Sequence, residues 1–101
     1  MTFRFLNKVL EDTINIFKPD AIFMQCGADS LKGDTIGAFN MTIKGHSRAV
    51  KSVLSYNIPT VFSGGGGYCV ENVARCWAYE SLVITGKGLE HHVIPEESKY
   101  R

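Results

Sequence analysis

The sequence predicts an α/β fold built on a parallel sheet. Three observations point there. Two short apolar runs, "AIFMQC" (21–26) and "TVFS" (60–63), have the look of strands buried on both faces. Segments on either side of them repeat apolar residues at helical spacing. The resulting order is helix, strand, helix, strand, helix. Strands separated by about 30 residues that include a helix are joined as parallel neighbours by a right-handed crossover.

Each element has its own signal. Phe3, Leu6, Leu10, Ile14 and Phe17 mark a first helix over 3–18, and Pro19 stops it. The first strand follows over 21–26. A loop rich in glycine and aspartate comes next, "GADSLKGDTIGAFN". Ile43, His46, Val50, Val53 and Leu54 mark a second helix that ends near Asn57 and Pro59. The second strand is 60–63. Val70, Val73, Ala74 and Trp77 begin a third helix that runs to about Ile84. The tail "GKGLEHHVIPEESKYR" is polar and less regular. There is no repeat, low-complexity segment or interior linker.

This topology already suggests where a ligand binds. In open parallel sheets, ligands bind outside the carboxyl ends of the strands. The loop carrying Asp29 leaves the first strand there, and the glycine loop ending at Tyr68 leaves the second. The two residues are 39 positions apart in sequence, yet the topology brings them to one crevice. Two parallel strands do not make a stable sheet, because all-parallel sheets are larger and covered on both faces. The chain therefore reads as a piece of a larger α/β domain.

Composition excludes several function classes. The 101 residues are 45% hydrophobic and carry a net charge of +1, so no broad basic surface is present for nucleic acid or an anionic membrane. No apolar run approaches the roughly 20 residues of a membrane span. Glu11 and Asp12 fall where a signal peptide would keep an uncharged core, so no secretion signal is expected. Cys26, Cys69 and Cys76 are odd in number and form no C-x-x-C pair. This favours a reducing compartment, without disulfides and without a structural zinc site built on cysteine.

Four consecutive glycines, Gly64 to Gly67, end at Tyr68. Glycine costs backbone entropy, so four of them in a fixed element need a reason. The run fits no dinucleotide fingerprint, no P-loop and no nucleophile elbow. From the local residues, a ligand-approach loop and a turn packing a helix close to a strand both stand.

Three motifs, "QCGADSLKGD", "FNMTIKGH" and "GGGGYCVENVARCWAYE", occur in this order and spacing. Together they resemble the C-terminal part of the class I histone deacetylases, zinc-dependent lysine deacetylases of the three-layer arginase–deacetylase fold. The resemblance runs over nearly the whole chain, 1–101. It implies a zinc cofactor with Asp29 as one ligand. It implies that Tyr68 donates its hydroxyl to the acetyl carbonyl oxygen. Ile36 falls at the rim of a substrate tunnel, and Gly66 and Gly67 line its inner wall, where a side chain would obstruct acetyl-lysine. The remaining zinc ligands, the histidine pair acting on water and the potassium sites map onto no residue here. The resemblance therefore implies a C-terminal segment that is inactive by itself. Its expected partners are acetylated histone tails or other acetyl-lysine proteins, and corepressor subunits, in nucleus or cytoplasm. A truncated, non-catalytic interaction protein is the alternative. Two inositol-phosphate-binding positions of the family map onto Thr35 and Glu71, which cannot replace basic residues.

Other polar residues carry structural readings. Asp34 caps a turn. His46 lies on the apolar face of its helix as a hydrogen-bonded core histidine. His91 and His92 are surface residues of the tail. Arg75 and Trp77 anchor the third helix, with Arg75 meeting buried carbonyls, and Cys69 is a small packed residue.

Overall fold

A computed structural model describes residues 2–86, with the side chains of residues 2 and 3 left aside. His91, His92 and the rest of the tail lie outside the described residues. The elements are α1 (Thr2–Phe17), β1 (Ile22–Gln25), α2 (Ile43–Leu54), β2 (Thr60–Ser63) and α3 (Val70–Thr85).

Local chemistry explains the boundaries. Helix α1 ends where Lys18 turns left-handed, at φ 52°, just before Pro19. Thr42 caps α2, its hydroxyl accepting from Gly45 N at 2.9 Å. Helix α3 stops at Gly86, whose φ of 70° is the usual left-handed helix end. Its start is less conventional, because Cys69 stands at the N-cap and makes no side-chain cap bond.

The two strands pair in parallel, with Phe23 beside Val61 and Gln25 beside Ser63. Pairing continues past the strand ends. Cys26 N donates to Ser63 O at 2.8 Å, and Ala28 N donates to Gly66 O at 2.6 Å. The two loops that leave the sheet are thus joined by backbone hydrogen bonds. The first loop also closes on itself through a Leu31–Met41 bridge.

Helices α2 and α3 pack together, and α1 rests against α2. Helix α3 covers the sheet face bearing Phe62, which lines a shared cleft with Trp77 and Ile84. The opposite face carries Phe23 and Val61, 71% and 58% exposed. Burial of the first strand on both faces is therefore not what the described residues show. They supply the sheet and a helical layer on one face, and the apolar character of Phe23 and Val61 is left without cover. Phe17, placed by spacing on the inner face of α1, is exposed too. The inner stripe of that helix is Leu6, Leu10 and Ile14, each half-buried.

The core is compact and sits at the carboxyl ends of the strands. Ala28, Leu31 and Cys76 are buried there, flanked by Met41, Ile43, Val73 and Trp77. The best-packed part of the chain therefore lies directly under the two loops.

Candidate functional site

The two loops meet around Gly66. A β-carbon added there would stand 2.4 Å from Asp29 Oδ2 and 3.4 Å from the Tyr68 hydroxyl. The first distance is a collision, so only glycine lets the Asp29 carboxylate lie against this backbone. Carboxylate and hydroxyl thus share one crevice at the carboxyl ends of β1 and β2. Asp29 has no hydrogen-bond or ion-pair partner among the described residues. Tyr68 is 51% exposed. Ile36 is also exposed, in the loop between β1 and α2.

The other glycines answer to different neighbours. At Gly64 a side chain would meet the Trp77 ring, and at Gly65 the Gln25 amide. Gly67 has φ 143°, which L-residues rarely adopt, and stands against Val73 and Ala28. Close approach by the protein's own side chains therefore accounts for most of the run.

The Asp29 side of the crevice is fixed from beneath. Trp77 donates its indole N–H to Cys26 O at 2.8 Å, which ties α3 to the end of β1 as the anchoring reading of Trp77 requires. His46 reaches from α2, its Nε2 donating to Gly27 O at 2.8 Å. Its Nδ1 bonds the carboxylate of Glu80 on α3. Glu80 and Cys76 are buried, one helical turn apart. The Cys76 sulfur, the Glu80 carboxylate and the Gly27 carbonyl push the His46 imidazole up to about 10, against the cost of burial. His46 is therefore a cation at neutral pH, donating from both ring nitrogens. The core-histidine reading holds, and the partner that keeps it charged is Glu80.

His46, Cys76 and Glu80 also bring three potential ligand atoms within 4.8 Å of one another. The direct bond between Nδ1 and the carboxylate leaves no room for an ion between them. No buried side-chain nitrogen or oxygen among the described residues lacks a partner, so the cluster is complete with a proton. Burial, aided by the negative charge of Glu80, pushes the neighbouring Cys26 thiol up to about 11.

The Tyr68 side is fixed from above. Asp34 Oδ1 accepts from Tyr68 N at 2.7 Å, while Oδ2 accepts from Ile36 N at 3.0 Å and Gly37 N at 2.9 Å. The Thr35 hydroxyl donates to Tyr68 O at 3.1 Å. Asp34 does cap a turn, as its position in the loop predicts, but it also binds across 34 residues. Glu71 lies exposed in the first turn of α3. Neither Thr35 nor Glu71 places a positive charge near the mouth.

A cleft of about 250 Å³ runs elsewhere, along Phe62, Gly64, Trp77 and Ile84. It includes neither Asp29 nor Tyr68, and its walls are mostly apolar. The chemistry-bearing groups converge at Gly66 instead.

Sequence reasoning brought Asp29, Tyr68, Gly66, Gly67 and Ile36 to one end of the sheet, and all five stand on these two loops. It missed Glu80 and Cys76. No local pattern singles them out, because what joins Glu80 to His46 is a contact across 34 residues.

Residues 2–84 match the histone deacetylase domain family. The chain is 50% identical over 95 residues to histone deacetylase 19 of Arabidopsis thaliana, covering 94% of this chain and 18% of that protein. It is 47% identical over 92 residues to histone deacetylase 1 of Oryza sativa subsp. japonica, covering 91% and 17%. With histone deacetylase 1 of Homo sapiens it shares 52% identity over 75 residues, covering 74% and 16%. The chain spans less than a fifth of the length of these relatives.

Proposed function

Because the chain belongs to the histone deacetylase domain family, we propose that it is the C-terminal part of the catalytic domain of a zinc-dependent protein lysine deacetylase. The observation that carries this reading is the convergence of the Asp29 carboxylate and the Tyr68 hydroxyl on the space where a side chain at Gly66 would begin. Asp29 fits a zinc ligand: its hard oxygens are unpartnered among the described residues, and the adjoining backbone is bare of side chain. A zinc ion held there by Asp29, with ligands from the rest of the domain, would supply Lewis-acid chemistry to the acetyl group and to water.

The remaining roles belong to this chain's own groups. Tyr68 donates its hydroxyl to the acetyl carbonyl oxygen, where negative charge develops as the carbonyl is attacked. A fixed donor of this kind is worth about 3–4 kcal/mol in comparable sites. Gly66 leaves the backbone beside Asp29 bare where the acetyl-lysine stem would arrive, Gly67 lets the same wall pack against Val73 and Ala28, and Ile36 offers an apolar rim to the substrate methylenes. His46, charged and paired, holds Gly27 and with it the turn into Asp29. Substrates on this reading are acetylated histone tails or other acetyl-lysine proteins, met in nucleus or cytoplasm, with corepressor subunits as partners. Thr35 and Glu71 argue against an inositol-phosphate bridge to such subunits.

The test is an acetyl-lysine peptide assay on a complete catalytic domain carrying this segment. We expect chelator-sensitive turnover, and loss of both zinc content and turnover in Asp29→Asn. Unchanged zinc content in that variant would remove Asp29 from the site. For the 101-residue chain alone we expect no turnover, since it offers one carboxylate where catalytic zinc needs three protein ligands. Chelator-sensitive turnover by the chain alone would overturn the reading of it as a part.

A further inference from the structure

The geometry points to Asp34 as the positioning residue of Tyr68, and as the link that makes the substrate rim and the hydroxyl donor one mechanical unit. This rests on the proposed role of Tyr68. The problem it solves is specific. Tyr68 is 51% exposed, so packing does not hold its ring. The residue before it, Gly67, adopts φ 143° and contributes no side chain. The residue after it, Cys69, is the N-cap of α3 and makes no cap bond. Nothing in the local sequence fixes the direction in which Tyr68 leaves the backbone.

Asp34 and Thr35 supply that constraint from the other loop. Asp34 takes the Tyr68 N–H at 2.7 Å and Thr35 takes its carbonyl at 3.1 Å, so the residue is held on both sides. The second Asp34 oxygen holds the Ile36 and Gly37 N–H groups at 3.0 and 2.9 Å. One carboxylate therefore ties the rim residue Ile36 to the donor Tyr68. Its negative charge also lies at the uncapped N-terminus of α3, where the helix dipole favours it. Three N–H groups facing two oxygens require a carboxylate. In Asp34→Asn an amide NH₂ would face at least one of these donors.

The expected consequence is misplacement of the hydroxyl, and a displacement on the scale of 1 Å can cost about 100-fold in rate. The experiment is a double-mutant cycle in the complete catalytic domain, with D34N, Y68F and the pair. D34N should lower kcat by about 10- to 100-fold with little change in KM, and only about twofold or less once Y68F is already present. Equal losses in both backgrounds would mean general damage to the fold and would overturn the proposal, as would unchanged kcat in D34N. If D34N does not fold, T35V in the same cycle tests the other half of the grip, and an equal effect with and without Y68F would again overturn it. The Tyr68 backbone amide proton gives a readout independent of activity. It should move upfield in D34N as its bond to the carboxylate is lost, and the Cys69 amide proton, on the peptide whose carbonyl Thr35 holds, should move upfield in T35V; an unmoved resonance in either variant would contradict the proposal. A Y68F variant of unchanged kcat would sink the role of Tyr68, while the amide shift would still report whether Asp34 holds it.

Discussion

The two walls of the crevice are held by opposite means. Below Asp29, buried and half-buried groups from two helices converge on the end of β1: Trp77 on Cys26 O, and the Glu80–His46 pair on Gly27 O. Beside Tyr68 the support is a more exposed set of hydrogen bonds from Asp34 and Thr35. A prospective metal ligand must stay where the ion's geometry demands, and its wall is joined to the core. On the proposed reading Tyr68 meets a substrate that enters and leaves, and its wall hangs on contacts near the surface. The two supports should therefore fail differently: the buried one through stability, the exposed one through rate.

The largest stability effect is expected at Glu80. Glu80→Ala leaves the His46 cation buried without its carboxylate, and breaking such a pair costs about 3–5 kcal/mol. Urea denaturation measures it, and a loss below about 1 kcal/mol would erase the contrast between the walls. A pH-dependent effect follows from His46. Its folded pKa is raised from 6.5 to about 10. Its contribution is fully present below about 6.5 and is lost as pH rises through about 10. Unfolding free energy should decline over that window, and His46→Gln should flatten the decline. An equal slope in the variant would mean that another group carries it.

Asp34 behaves with the opposite sign. Bonds from the Tyr68, Gly37 and Ile36 amides hold its carboxyl below the usual range, so its grip is present at neutral pH and lost as acid protonates it. The Tyr68 amide resonance, followed through an acid titration, should shift with the carboxyl and not with any histidine. The smallest effect concerns thiols. Cys26 is buried and its thiol is pushed up to about 11, whereas Cys69 is half-buried. A thiol reagent at pH 7 should label Cys69 first, and faster labelling of Cys26 would show that the wall below Asp29 opens readily.

Much of the fold was legible because it is written in local spacing. The recurrence of Ile43, Val50 and Val53 marked α2, and the Gly run followed by Val70 and Val73 marked the start of α3. Parallel connection alone placed Asp29 and Tyr68 at one end of the sheet. What stayed hidden depends on contacts between distant segments. His46 announced its burial, but its partner is 34 residues away, and no local pattern names Glu80. Asp34 announced a turn, and its bond to Tyr68 N is equally remote. The apolar run of β1 predicts cover on both faces, with neighbours that belong to a larger domain. Phe23 and Val61 instead share an open face, because composition records the need for burial and not which residues meet it.

On the proposed reading the hydroxyl of Tyr68 acts on the reacting carbonyl beside Asp29. Steady-state kinetics of Tyr68→Phe in a complete catalytic domain carrying this segment test it most directly. We expect kcat to fall by about 10²–10³ while KM changes little, because the hydroxyl matters when the oxyanion forms. A variant whose kcat is unchanged, or whose loss lies entirely in KM, would contradict it.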